Sequence, residues 1–300
     1  MPIHLNSISR RSFLAGASAF TIAPLANGDE GGTETWALLA DTHIDADPAK
    51  VARGAQMAAN LEKIVAELVA ERETLQGVII DGDCAYLAGL PGDYELLAKL
   101  LEPLADVGLP VHLTMGNHDD RGPFYEAFAK NPSMVSAVES KHVSVIETPI
   151  ANWILLDSLF VVNKVTGEMG EVQLSWLDQF LQNHSDKPAI LVGHHNPQFA
   201  IEEGQRVTGL ADTSQLMSIM AKYPHSQAYI YGHTHSWRTT RTETGVHLIN
   251  LPPCAYVFDQ KRPNGWVRAD ISEGGVKLTL HALDANHPEH GKAKELSWRG

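Results

Sequence analysis

Residues 36–43 of the chain read Trp-Ala-Leu-Leu-Ala-Asp-Thr-His, a short apolar run followed at once by a carboxylate and an imidazole. An apolar run of this length is typical of a buried strand in an α/β sheet. Alternate side chains of an extended segment point to the same side, so Asp41 and His43 can face one cation. Alone, the pattern is weak, because an Asp that caps a turn beside a surface His is commoner. Its repetition along the chain gives it weight.

The same arrangement, in which polar residues directly follow an apolar run, occurs four more times. The later clusters are Asp81-Gly82-Asp83, Gly116-Asn117-His118-Asp119, Gly193-His194-His195 and Gly232-His233-Thr234-His235. Open α/β sheets place ligands at the carboxyl ends of their strands, so we expect the five clusters to meet at one edge. They form a nitrogen and oxygen donor set without sulfur, and they offer more ligands than one tetrahedral zinc ion needs. The sequence therefore predicts a site for two metal ions.

The rest of the chain alternates apolar runs with helical patterns. Further strands are expected at 153–156 and 247–251, and helices at 49–72, 93–106, 123–130, 172–183 and 212–222. Residues 266–280 are typical of antiparallel strands with a turn at Gly274-Gly275. The alternation predicts a layered α/β fold.

The first 34 residues have the character of an export signal. Ser9-Arg10-Arg11-Ser12-Phe13-Leu14 precede a short run of small and apolar residues, followed by a linker rich in Gly, Asp and Glu. The paired arginines followed by Phe-Leu resemble a twin-arginine signal, which a receptor reads as an address. We therefore expect residues 1–34 to be signal and linker, and 35–300 the functional domain. The implied partner is the export machinery, and the implied location is periplasmic or extracellular.

Composition narrows the function classes. The chain has 300 residues, of which 44% are hydrophobic, and a net charge of −13. Such an acidic surface repels polyanions, so nucleic acid and anionic membranes are not expected as partners. No apolar run of the mature chain is long enough to span a bilayer. The two cysteines, Cys84 and Cys254, are expected to be buried thiols, although one disulfide is left open in an oxidising compartment.

The order of the motifs resembles the calcineurin-like metallophosphoesterase superfamily over about residues 35–255. The longer run Gly116–Arg121, the segment Leu156-Asp157-Ser158 and the histidine pair before Pro197 resemble its class III cyclic-nucleotide phosphodiesterase and glycerophosphodiesterase branch. The resemblance implies a four-layer α/β/β/α sandwich of two mixed sheets flanked by helices. Members of the branch often associate, so it also allows a homo-oligomer, although no residue indicates an interface.

When the ligand positions of the family are transferred to the matching motifs of this chain, the resemblance implies a binuclear centre of two divalent ions, such as Mn, Fe or Zn. The first ion would be held by Asp41, His43, Asp83 and His235, with Asp83 as the bridge, and the second completed by Asn117, His194 and His233. In this chain Pro197 stands one place later than in the family's His-x-Pro-like pattern. The choice between His194 and His195 therefore stays open, with His194 preferred.

Five more residues are candidates for roles around this centre. His118 stands beside the expected ligand Asn117, and we predict that it acts as the general acid for the leaving alkoxide. Asp119 or Asp157 is expected to orient His118, and Asp119 is also a candidate for supporting the ligands or binding substrate. His195 is expected to support the ligands or face the substrate, while Arg121 either contacts the phosphate or forms a surface ion pair.

The expected reaction is in-line attack on phosphorus by hydroxide, which bound metal ions make available at neutral pH by lowering the pKa of water. The branch favours a small phosphodiester as substrate. An exported phosphomonoesterase on the same scaffold is the alternative, since the two differ in pocket shape. A non-catalytic scaffold is disfavoured, because all seven expected ligand positions are filled. A nuclease is disfavoured by the acidic balance and the lack of a basic tract.

Overall fold

A computed structural model of the chain describes residues 32–128, 136–200 and 204–299. Within them, the strands form two large sheets. The strands of the first sheet are β1 (Glu34–Ala40), β4 (Gly77–Asp81), β5 (Val111–Leu113), β12 (Gly265–Ser272), β13 (Gly275–Ala282) and β14 (Ala293–Ser297). Those of the second are β6 (Ser144–Glu147), β7 (Asn152–Leu155), β8 (Ala189–Val192), β9 (Ser226–Tyr231), β10 (Arg238–Arg241) and β11 (His247–Asn250). The strand order is β14-β13-β12-β1-β4-β5 in the first sheet and β10-β11-β9-β8-β7-β6 in the second. A short hairpin joins β2 (Val51–Ala52) to β3 (Ala55–Gln56).

Both large sheets are mixed. In the first, β1, β4 and β5 are parallel, whereas β12, β13 and β14 run antiparallel to their neighbours. In the second, β7, β8, β9 and β11 are parallel, and antiparallel strands β6 and β10 close the two edges. The parallel centre of each sheet brings several carboxyl strand ends to the same side.

Helices cover the outer face of each sheet. They are α1 (Met57–Glu71), α2 (Pro91–Asp106), α3 (Arg121–Phe128), α4 (Glu171–Asn183) and α5 (Thr213–Lys222). Strand β1 is buried on both faces: Ala37 and Leu39 pack against α1 and α2, while Trp36 and Leu38 pack into a core shared with the second sheet. On the far side, α4 and α5 pack against the outer face of β8 and β9. The four-layer α/β/β/α sandwich expected from the sequence is confirmed.

The boundaries depart from expectation mainly where residues are exposed. The helix expected at 49–72 begins only at Met57, because the chain first turns through the β2–β3 hairpin at Arg53-Gly54. Strands β6, β10 and β14 were not expected, because they lie at or near sheet edges and carry polar, partly exposed residues in place of an apolar run. Cys84 and Cys254 are both buried, free thiols. In the part of the chain described here, no helix is long and apolar enough to cross a membrane.

Candidate metal centre

The five polar clusters meet where the two sheets face each other at their carboxyl strand ends. Asp41 and His43 follow β1, Asp83 follows β4, and Asn117 follows β5 of the first sheet. From the second sheet come His194 after β8, and His233 and His235 after β9. The backbone N–H of His233 donates to both carboxylate oxygens of Asp41, at 3.2 and 3.1 Å. The site is therefore built across the interface between the sheets.

The potential ligand atoms form three overlapping groups, within each of which all atoms lie within 4.8 Å of one another. The groups are Asp41 with His43 and His235, His43 with Asp83 and His118, and Asp83 with His194 and His233. Asp83 belongs to two of them, as expected for a residue that bridges. His118, which we expected to be catalytic, has a ring nitrogen within this cluster and so lies beside the ligands.

Several buried nitrogen and oxygen atoms of the cluster lie close together. The Nε2 atoms of His43 and His235 are 3.0 Å apart, and Nε2 of His235 lies 3.3 Å from Oδ1 of Asp41. The Oδ1 atom of Asn117 is buried and accepts no hydrogen bond from any residue that the structure describes. Buried donor and acceptor atoms are rarely left in this way. A cation among them would satisfy these lone pairs, so the residues present fit divalent metal ions.

Backbone carbonyls fix three of the imidazoles in ligand-ready orientations. Nδ1 of His194 donates to the carbonyl of Asp81 at 2.9 Å, and Nδ1 of His235 donates to that of Tyr256 at 2.6 Å. Nε2 of His233 donates to the carbonyl of Thr208 at 2.7 Å. In each ring the other nitrogen points into the cluster, where it can bind a cation when the ring is neutral. Such an outer hydrogen bond is the usual partner of a metal-binding histidine.

The electrostatics of the cluster match this ligand chemistry in part. Burial opposes protonation of His194 and His235, but the carboxylates of Asp83 and Asp41 outweigh it and raise the pKa of both rings, a pairing that a bound cation would replace. Burial lowers the pKa of His43 to about 3 and that of His233 to about 4, so both rings are neutral at pH 7. Burial alone would raise the pKa of Asp83, but the nearby imidazoles, His194 first, hold it well below the usual range. Burial likewise opposes ionisation of Asp41, and His235 outweighs it. Ionised carboxylates and neutral imidazoles are the forms that bind divalent cations.

Left-handed backbone is concentrated at the proposed ligands. Asp41, His43, Asp83, His233 and His235 have φ between 45° and 64°. Residues other than glycine adopt this region at a cost of about 1–2 kcal/mol each. Such strained residues persist where the surrounding structure holds them, and they cluster at functional sites. Here each turn aims its side chain back across the strand end into the cluster.

Two glycines allow the strand-end loops to approach this closely. A Cβ atom at Gly116 would lie 2.2 Å from Oδ1 of Asp83 and 2.7 Å from Cδ2 of His194. A Cβ atom at Gly232 would lie 2.6 Å from Oδ2 of Asp41. Neither position has room for a side chain, so both glycines define the spacing of the ligands.

The orientation of His118 differs from the sequence-based prediction. Its Nδ1 lies 2.6 Å from the carbonyl oxygen of Leu87, and its backbone N–H donates to Oδ1 of Asp83 at 2.8 Å. The prediction that Asp119 or Asp157 orients His118 is wrong. Asp119 is turned away and accepts backbone N–H groups of Cys84, Ala85 and Gly116 instead. It thereby ties together the loops after β4 and β5.

Arg121 and His195 both lie outside the ligand groups. Arg121 makes a bidentate ion pair with the buried carboxylate of Asp157 and also donates to the carbonyl of Leu159. This pair is not an exposed surface contact, and it engages the guanidinium away from the cluster. His195 is buried behind His194 and His233, with Nδ1 at 2.7 Å from Oγ of Ser158. Burial keeps its pKa well below the usual range, so the ring is neutral.

The ligand cluster opens into a cleft of about 560 Å³. Besides expected residues, its wall contains side chains that the sequence did not single out, among them Asn163, Arg206, Thr208, Tyr256 and Phe258. The ring of Tyr256 stacks on that of His43, with centroids 5.1 Å apart. These residues lie outside the strand-end motifs, so no local pattern could have identified them. Isolated aromatic and amide residues are common in any loop.

A family model described as calcineurin-like phosphoesterase matches residues 35–237, which is more than half of the chain. The chain belongs to this family. It is 26% identical over 254 residues to a probable cyclic nucleotide phosphodiesterase of Synechococcus, covering 83% of this chain and 92% of that protein. It is 26% identical to the 3′,5′-cyclic adenosine monophosphate phosphodiesterase CpdA of Pseudomonas aeruginosa, with coverage of 73% and 76%.

The same branch supplies a further relative. The glycerophosphodiester phosphodiesterase GpdQ of Enterobacter lignolyticus is 23% identical, with coverage of 76% of this chain and 81% of that protein. Among solved structures, a dimetal phosphatase from Danio rerio superposes with a TM-score of 0.67 at 14% identity, covering 88% of this chain and 99% of the other. That likeness shows the fold. The family and its phosphodiesterase relatives make this calcineurin-like chain a phosphoric ester hydrolase, and the resemblance to the class III branch is confirmed.

Proposed function

We propose that the chain is a binuclear metal-dependent phosphodiesterase that hydrolyses a small phosphodiester. The observation that carries this proposal is the position of Asp83, whose carboxylate belongs to two adjacent ligand groups. One of these groups contains His43 and His118, and the other contains His194 and His233. The third group, Asp41 with His43 and His235, shares His43 with the first of them, and Oδ1 of Asn117 is buried at the same cleft. The relatives named as phosphodiesterases favour a diester over a monoester.

The ligand set would supply the chemistry of such a centre. When bound, a pair of divalent ions provides hydroxide at neutral pH and neutralises charge on the phosphate oxygens. The residues of the chain prepare this chemistry by holding two carboxylates ionised and the rings of His43 and His233 neutral. The identity of the ions is proposed as Mn, Fe or Zn, in keeping with a nitrogen and oxygen donor set.

His118 is the residue we propose as general acid. The carbonyl of Leu87 accepts from its Nδ1, which leaves Nε2 directed toward the cleft that the ring lines. A protonated ring there can give its proton to the departing alkoxide. The His118→Ala variant should retain metal and hydrolyse a diester with a 4-nitrophenolate leaving group far better than one with an alkyl alkoxide. Equal loss on both substrates would contradict the role.

The proposed function is tested with purified protein reconstituted in turn with Mn, Fe and Zn. Turnover of bis(4-nitrophenyl) phosphate is compared with that of 4-nitrophenyl phosphate, and bound metal is counted by elemental analysis. We expect about two metal ions per chain and a preference for the diester. A preference for the monoester would replace the proposal with a phosphomonoesterase, and one ion per chain in an active enzyme would overturn the binuclear centre.

We further propose that the protein is exported by the twin-arginine route. The signal expected at residues 1–34 lies almost entirely outside the described residues, and the proposal rests on its sequence, Arg10-Arg11 with Phe13-Leu14. Replacing both arginines by lysine should trap a longer precursor in the cytoplasm, as seen by fractionation and immunoblot. Normal export of that variant would refute the proposal.

A further inference from the structure

Arg53 occupies an unusual backbone position at the rim of the metal cleft. It is the first residue of the two-residue turn between β2 and β3, with φ of 48°, and Gly54 follows with φ of 85°. Two consecutive positive φ values are those of a type I′ turn, which favours Asn or Asp and then Gly. A long side chain at the first position is uncommon. Strain of this kind points to a functional hypothesis.

The turn directs the Arg53 guanidinium over aromatic rings that contact the ligand cluster. Its Cζ atom is 4.9 Å from the ring centroid of Phe258 and 5.8 Å from that of Tyr256. Phe258 stacks on His235 at 4.4 Å between centroids, and Tyr256 contacts His235 at 4.8 Å. One ring therefore separates this cation from a proposed metal ligand. Phe258 is 55% exposed, so the stack is open to an incoming molecule.

A second cavity, of about 460 Å³, adjoins this stack, because Tyr256 lines both it and the metal cleft. Arg53 and Arg262 are exposed and line the second cavity. Neither guanidinium has a hydrogen bond or ion pair to any described residue. Asp284 also lines the cavity, where its Oδ1 accepts the backbone N–H of Asn286. The cavity thus contains two arginine side chains that are available for hydrogen bonds to an anion, and one carboxylate that is already hydrogen-bonded.

We propose that Arg53 and Arg262 form an anion subsite beside the metal cleft, which holds a carboxylate or phosphate group on the substrate arm remote from the scissile ester. Arginine suits this role, because its planar guanidinium binds either group through two parallel hydrogen bonds. The chain has a net charge of −13 and repels anions in general, so the attraction that these two arginines exert on an anion is confined to this cavity. The proposal rests on the proposed diesterase function and adds that the substrate carries a second negative group.

The test compares three diesters that share one leaving group: 4-nitrophenyl phenyl phosphate and its analogues with a carboxylate or a phosphonate at the para position of the phenyl ring. In the wild-type metal-loaded enzyme, at least one anionic analogue should exceed the neutral diester about tenfold in kcat/KM, mainly through KM. A gain of this size is typical of a hydrogen bond to a charged group. Whichever analogue gains identifies the anion as carboxylate or phosphate.

Arg53→Asn is the informative variant, because Asn is favoured in the turn and the fold should be kept. It should reduce the preference for the anionic analogue to about one and change kcat/KM for the neutral diester less than threefold. Arg262→Gln should reduce the preference in part. Arg72→Gln, which removes an exposed arginine at the far end of α1, is the charge control and should keep the preference. A preference that is absent in the wild type, or that survives Arg53→Asn, would overturn the subsite.

Binding without turnover separates this proposal from the proposed function. Calorimetry with phenylphosphonate and 4-carboxyphenylphosphonate measures the same difference on the metal-loaded protein. Suppose that no diester is hydrolysed, but that 4-carboxyphenylphosphonate binds the wild type about tenfold more tightly than phenylphosphonate does and shows no such difference with Arg53→Asn. The subsite then stands and the diesterase assignment fails. If diesters are hydrolysed and neither comparison shows a difference, the subsite alone fails.

Discussion

Replacement of Gly116 by alanine should damage the metal centre by moving a ligand. The new Cβ atom would lie 2.2 Å from Oδ1 of Asp83 and 2.4 Å from its backbone nitrogen. A flexible side chain could rotate away from the first contact, but the second involves backbone. To regain a normal van der Waals separation, the loop that carries Asp83 must therefore withdraw by roughly 1 Å.

Two magnitudes follow from this displacement. Overpacking of a well-packed site costs about 1–3 kcal/mol, so the metal-free protein should lose that much free energy of unfolding. A shift of about 1 Å in catalytic geometry can reduce turnover about 100-fold, and we expect that loss in kcat/KM for bis(4-nitrophenyl) phosphate. Urea unfolding in the presence of a chelator measures the first quantity. Steady-state kinetics at excess metal measures the second.

Gly274→Ala is the matched control. Gly274 lies in the exposed turn between β12 and β13, and a Cβ atom there would meet nothing within 4 Å. That variant should behave as the wild type in both assays. If Gly116→Ala also keeps wild-type kcat/KM within about threefold, the argument that this close approach sets the ligand geometry is refuted.

Three other predictions concern single residues. Asp83→Ala should abolish both metal binding and hydrolysis, and elemental analysis that still finds two ions per chain would exclude Asp83 as a bridge. Arg121→Gln should lower the free energy of unfolding, measured in urea, by about 2–4 kcal/mol, because it leaves the buried Asp157 carboxylate without its ion pair. Its control is Lys222→Gln, which breaks the exposed ion pair with Asp178 and should leave the urea midpoint unchanged. Burial lowers the pKa of His142 below the usual 6.5, so the folded chain binds fewer protons there than the unfolded chain, and the wild type loses stability as the pH falls through about 6.5. The stability cost of His142→Gln, measured in urea with chelator, should therefore shrink between pH 8 and pH 5.5, and a cost that does not change with pH would contradict this reasoning.

The sequence predicted the centre of the fold better than its periphery. Strands β1, β4, β8 and β9 are short apolar runs buried on both faces, so their composition alone marks them. Strand β14 alternates exposed and half-buried residues, and it is a strand only because β13 pairs with it. Such pairing depends on the completed sheet and leaves little trace in the local sequence.

The candidate ligand residues were identifiable because their types and their place after apolar runs both point to metal binding. The groups that position them were not identifiable. The carbonyl of Leu87 that contacts His118 belongs to the backbone, and any residue could provide it. Asp119 carries a familiar acidic side chain, yet three backbone N–H groups from two loops determine what it does. Arg53 is an ordinary surface arginine by sequence, and only the left-handed turn shows where it points.

The proposed metal centre takes its side chains from both sheets, so it can form only after the two sheets have packed together. Asp41 lies near the start of the domain and His235 near the end of the matched family region, and the two side chains meet only when the sheets are stacked. A chain that is truncated, or that has its second sheet incompletely formed, would hold parts of a ligand set and no complete one. Metal retention would thus report that nearly the whole chain has reached its final arrangement. A chelator would remove the link that bound metal makes between the two sheets and leave them held together by apolar contacts.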